Sequence, residues 1–175
     1  MSAQYRNNFQ FVDMKQQNRF IMSIQSYYEA GEQSYLIKTT DIPSIENNPV
    51  AVDTINSEFK IKGKSRWQDI SVTFYDPYES LTARKSGAAV AHSWLNDDHH
   101  NSRTDVDEYM STYKKKITLY YVPPQGDING LTGAYWELNG AFFANINWGS
   151  FDVSSDDLVA VEATISYDWA EFFAS

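Results

Sequence analysis

Hydrophobic and polar positions alternate along much of this chain. In Arg66–Tyr75 (RWQDISVTFY), Ile70, Val72 and Phe74 fall on one side of an extended backbone, and Asp69, Ser71, Thr73 and Tyr75 on the other. A two-residue period marks a strand with one face against a core. The same period recurs at Phe20, Met22 and Ile24, at Ile117, Leu119 and Tyr121, and through Leu158, Val159, Val161, Ala163, Ile165 and Tyr167. Helical signals gather after Tyr75. Asp76 is placed to cap, Pro77 to open the first turn and Glu79 to meet the positive end of the helix dipole. The spacing predicts a helix over 77–95, with Leu81, Ala88, Ala91, His92 and Leu95 as its packed stripe.

Turn chemistry separates these elements. Glu29–Glu32 is read as a turn before a second strand, Ser34–Thr39, and residues 1–17 as a polar arm or short helix. Asn96–Ser111 is a polar loop. Pro123–Asp127 and Asn129–Gly133 precede a final hairpin, whose acidic turn is Ser154–Asp157. The segment 42–62 stands apart. Pro43 and Pro49 bar it from the middle of a sheet, yet Ile42, Ile45, Val50, Val52, Ile55, Phe59 and Ile61 are too many aliphatics for a linker. It reads as a long excursion with a loose hairpin, either a lid over the core or an insertion that docks on a neighbour. The sum predicts a mainly β single domain, 1–175: a β-sandwich or small barrel with one flanking helix.

Composition narrows the function. With no Cys, disulfides and thiolate metal sites are excluded. The formal net charge of −9 has the wrong sign for gripping nucleic acid through its phosphates. No apolar run is long enough to span a bilayer, and the N-terminus lacks a signal-peptide core, so no membrane insertion is expected. Asp97-Asp98-His99-His100, with Asp105, Asp107 and Glu108, is the densest ligand-like cluster, but neighbouring residues in a loop do not share one coordination face. There is no nucleophile elbow and no phosphate loop. No catalytic, cofactor or metal residue is assigned, and no enzyme activity is expected. Lys114-Lys115-Lys116 reads as strand-entry solvation or an inter-subunit contact.

Several short signals then fall in a familiar order: Thr40–Pro43, Phe59–Gly63, the strand Trp67–Tyr75, Ala83-Arg84-Lys85 in the helix, Tyr113-Lys114-Lys115, Gly140-Ala141-Phe142 and Tyr167-Asp168-Trp169. Over residues 18–173 the chain resembles the tail tube (inner tube) proteins of contractile-tailed bacteriophages. Phe143 is a departure, since the family often has Pro there. The resemblance implies a tail-tube fold in which six copies close a ring and strands of neighbours continue one sheet around a lumen. Rings would stack inside a contractile sheath, with the loop 42–62 inserting onto the adjacent ring. Inter-ring contacts would then be Ile45, Pro49, Val50, Val52, Ile55 and Phe59. Trp67, Trp148, Trp169 and Phe172 would be inter-subunit or core aromatics, and Asp69 a candidate lumen acid. The implied partners are further copies of the chain and the tail sheath, baseplate and tail terminator proteins. The tape measure protein and viral DNA would pass through the lumen without specific binding. The implied location is the virion tail, with synthesis in the host cytoplasm, and no cofactor is implied.

Two other functions fit the same residues. One is the tube protein of a type VI secretion or extracellular contractile injection system, which passes proteins. The other is a carbohydrate-binding β-sandwich using Trp67, Trp94, Trp136 or Trp148 as stacking platforms.

Overall fold

The computed structural model describes residues 17–25, 37–76, 91–92, 94–95, 100–101, 106–107, 109–122, 133–154 and 156–174. In chain order its strands are β1 (Phe20–Ile24), β2 (Ile37–Thr40), β3 (Ser44–Asp53), β4 (Glu58–Gln68) and β5 (Ile70–Tyr75). Two-residue strands β6 (His100–Asn101) and β7 (Val106–Asp107) pair with each other. A one-turn helix, Met110–Tyr113, leads into β8 (Lys115–Tyr121), followed by β9 (Tyr135–Asn147), β10 (Ala160–Ser166) and β11 (Trp169–Phe173). The architecture is mainly β, as the alternation predicts.

β9 organises the molecule. Its first half, from Tyr135 to Ala141, pairs with β8 on one edge, and Tyr135–Asn139 pair with β11 on the other. Its second half, Phe142–Asn147, pairs with β10. One layer is therefore β1-β8-β9-β11 and the other β9-β10-β5-β2, every pairing antiparallel and both layers sharing one long strand. The bend between the layers is at Gly140, which has φ +67°, a left-handed backbone that costs other residues a β-carbon clash. The side chain of Asp168 fills the space where a β-carbon would stand on Gly140. Asp168 is held there at both ends. Its N–H donates to the Asn139 carbonyl at 3.0 Å, and Lys114 Nζ donates to both carboxylate oxygens at 2.7 Å.

The core lies between the layers. Ile70, Val72 and Phe74 of β5 stand opposite Ile165, Ala163 and Val161 of β10, and all six are buried. Cross-strand apolar pairs of this kind are the unit of sheet stabilisation. The other layer contributes Met22 opposite Leu119, Ile24 opposite Ile117, and Leu138 opposite Ile117. Trp94 is buried against this core, its ring 4.5 Å from Phe143 and its indole N–H donating to the Tyr113 carbonyl at 2.7 Å.

Several expectations change. The run Arg66–Tyr75 is two strands, because Trp67 pairs outward with Ile45 whereas Ile70 pairs into the sheet with Ile165. Asp69 is the exposed break between them. The last long strand starts at Ala160, leaving Leu158 exposed. Of the helix predicted over 77–95, residues 77–90 lie outside the described residues. Ala91 and His92 are helical; Ala91 is buried, but His92 is exposed and faces Trp148 with ring centroids 6.1 Å apart. The arm 1–16 and the turn 29–32 also lie outside the described residues, as do most members of the Asp/His cluster. The loop 96–111 contains the β6/β7 pair and the start of the one-turn helix.

Candidate assembly surface

The excursion over 42–62 is the arm of a regular two-stranded ribbon, β3–β4, which is separate from the main layers. It leaves the domain where Asp41 and Ser71 tie its base: Asp41 N–H donates to the Ser71 carbonyl, and Ser71 N–H donates to Asp41 Oδ2, each at 3.0 Å. The tip is closed by Thr54, whose N–H donates to the Ser57 carbonyl at 2.7 Å and whose hydroxyl reaches Ser57 Oγ at 2.8 Å. Ile55 stands wholly exposed at that tip.

The ribbon has two chemically distinct faces. Directly opposed residues share a face, and towards the tip the pairs Val50–Ile61 and Val52–Phe59 make one apolar face. Val50, Phe59 and Ile61 on it are each about half-exposed, at 48–50%. The pairs Pro49–Lys62 and Ala51–Lys60 make the other face there and bring two cations to it; nearer the base, Ile45–Trp67 lies on this second face and Glu46–Arg66 on the first. Ile45 and Val50 differ in parity and lie on opposite faces of β3. The register shift between Asn47 and Pro49 puts its extra residue in β4, so it is β4 whose parity reverses, bringing Ile61 and Phe59 onto the face of Val50 and Val52. Gly63 permits that shift, since a β-carbon on it would collide with the Asn48 carbonyl oxygen.

These positions sort the predicted contact residues. Val50, Val52 and Phe59 come together with Ile61, whereas Pro49 and the Ile45–Trp67 pair lie on the opposite face and Ile55 at the tip. Trp67 is half-buried, with its ring 6.0 Å from Tyr167, and so joins the ribbon to the core. Burial pushes the Tyr167 hydroxyl above its ordinary range by disfavouring the phenolate. Trp169 and Phe172 sit on β11 and are about half-exposed; Phe172 meets Trp136 at 5.1 Å. A row of side chains, Ile21, Tyr120, Tyr135 and Phe173, crosses the outer face of the first layer, with Tyr135 stacked on Phe173 at 4.8 Å.

A second exposed apolar segment, 148–158, was hidden from pattern reasoning because it belongs to no strand. Phe151 is 92% exposed, Val153 fully so and Leu158 75%, beside Trp148 at 42%. Between them, Asp152 Oδ1 accepts from Ser154 N–H at 2.9 Å and from Ser154 Oγ at 2.7 Å, which holds its carboxyl below the ordinary range. An open groove of about 570 Å³ lies between the two layers, lined by Arg19, Lys38, Thr40, Asp41, Tyr121 and Trp136. Among the described residues no group of three or more His, Asp or Glu could hold a metal ion, and no helix is long and apolar enough to cross a membrane.

No protein-family model matches the sequence, and no curated protein matches it either. Solved structures do match in shape. A chain of the sheath–tube complex of PVC, an extracellular contractile injection system, in its extended state is 22% identical. The match covers 90% of this chain and 89% of that one with TM-score 0.63. A chain of the anti-feeding prophage cap, the AFP tube-terminating cap, is 16% identical over 99% of this chain and 100% of that one, TM-score 0.68. Hcp1 from Flavobacterium johnsoniae is 9% identical over 90% and 96%, TM-score 0.51. The fold is that of contractile-system tube proteins. Within the tube fold of this chain, the β3–β4 ribbon projects from one end of the shared sheet and the 148–158 loop from the other.

Proposed function

We propose that this protein is a non-enzymatic structural subunit of the inner tube of a contractile particle. Copies close into hexameric rings through strand edges, and the rings stack into a hollow rod inside a sheath. The observation that carries this reading is the likeness of nearly the whole chain to a sheath–tube chain, combined with a two-faced ribbon that the monomer leaves uncovered. An apolar ribbon face exposed in this way calls for a protein partner. Ring closure also supports the reading, because it would pair the edges of β1, β2 and β11 that no other described strand covers, and such edges invite uncontrolled pairing.

The conduit of a phage tail is the first reading of its use: a net charge of −9 suits a channel along which DNA slides without sticking. Its partners would then be sheath, baseplate and terminator proteins, and its place the virion tail. A protein-passing injection particle is the second reading, and the likeness to PVC and anti-feeding prophage chains favours it. The carbohydrate reading keeps only Trp148 of its four platforms exposed. Trp94 is buried, and Trp67 and Trp136 pack against the core. Negative-stain imaging of the concentrated protein is expected to show rings and hollow rods. A uniformly monomeric protein at high concentration and with molecular crowders would overturn the tube assignment.

A further inference from the structure

The ribbon needs a seat, and the structure offers one. β5 runs from the ribbon's base at Ser71, tied to Asp41, to Asp76, whose N–H donates to the Val159 carbonyl at 3.1 Å. The 148–158 loop therefore leaves the molecule one strand length away, roughly 17 Å at the ordinary rise per residue, and at the opposite end. Two apolar surfaces at opposite ends of one subunit can meet only head to tail, a heterologous contact that propagates along an axis. Their charges are opposite. The loop, WGSFDVSSDDL, contains Asp152, Asp156 and Asp157 and no cation; β4 contains Lys60, Lys62, Lys64 and Arg66 against one acid, Glu58.

We propose that the 148–158 loops of one ring are the receptor for the β3–β4 ribbons of the next. Each ribbon enters between two adjacent loops. Its apolar face (Val50, Val52, Phe59, Ile61) covers Phe151, Val153 and Leu158 of one copy. Its cationic face (Lys60, Lys62) meets Asp152, Asp156 and Asp157 of the neighbouring copy. The occupant is a second copy of this chain, and the inference rests on the ring-forming reading above. It explains why the ribbon has two different faces: a ring puts a different subunit on each side of an inserted strand pair. The Asp152–Ser154 turn keeps one of the carboxylates ionised and fixes the loop that presents it.

The test uses full-length protein. Phe151→Asp combined with Val153→Asp changes two exposed side chains, so circular dichroism should match the parent. Rings should still form, while the critical concentration for rods should rise about tenfold or more. Lys60→Glu with Lys62→Glu should also suppress rods, and Asp156→Lys with Asp157→Lys in the same chain should restore them. Because the chain has no Cys, Val50→Cys and Val153→Cys chains can be mixed and oxidised without background. A cross-linked pair is expected from rods and not from monomers. Normal rods from the Phe151/Val153 variant, or no cross-link in rods of the cysteine chains, would overturn the seat while leaving the tube reading intact. Absence of rods from the parent protein would instead sink the reading beneath it.

Discussion

Gly140 is the residue on which the two layers turn. Its left-handed backbone and the Asp168 carboxylate packed over it leave no room for a side chain. Gly140→Ala is expected to cost roughly 1–2 kcal/mol from the backbone alone, and more once Asp168 is pushed off Lys114. Urea unfolding monitored by Trp fluorescence will measure it. Tyr167 provides a pH signature. Burial raises its pKa above the ordinary 10.0, so the folded state holds the proton more tightly than the unfolded chain. The resulting stability is complete below that ordinary value and is lost as pH climbs through the raised one. Tyr167→Phe is expected to flatten the alkaline limb of stability against pH above 10 relative to the parent; an unchanged limb would put the loss elsewhere. Neither role was legible from single letters, although Gly140 and the Tyr167–Asp168–Trp169 step stood out. The sequence marks that such residues are special, but only the approach of Asp168 to β9 says why.

Among the elements, strands with one face on the core were legible. β5 alternates cleanly because its inward side is buried along its whole length, and the period in β10 is equally clear from Val161 to Ile165. β9 was harder to read. Its inward residues run Leu138, then Ala141 and Phe143, then Ile146, because a bend at Gly140 and a register shift opposite Thr164/Ile165 each reverse the parity. The ribbon's ladder was concealed in the same way, by the shift at Asn47–Pro49. Its register now permits a clean excision. Replacing residues 48–64 with Asn-Gly joins Asn47 to Ser65, which already face each other, through a two-residue hairpin turn. The shortened protein is expected to keep its core and to unfold within about 1 kcal/mol of the parent, since the removed residues are largely exposed. It should no longer form rods under electron microscopy.

At the scale of the whole molecule, the chain itself determined the mainly β class, the acidic charge and the presence of an apolar excursion too rich to be a linker. These are properties of periodicity and composition, which act through local backbone geometry and mean burial. The tertiary structure alone decided which exposed groups share a surface. Pairing across β3 and β4, with its shift in β4, collects Val50, Val52, Phe59 and Ile61 on one face and sends Pro49 and the Ile45–Trp67 pair to the other. The antiparallel order of β2, β5 and β10 puts the ribbon and the 148–158 loop at opposite ends of one sheet, although neither segment contains any mark of the other. The physical reason is that periodicity records whether a side chain meets a core, while direction and register come from hydrogen bonds between distant segments, and those exist only once the chain has closed on itself.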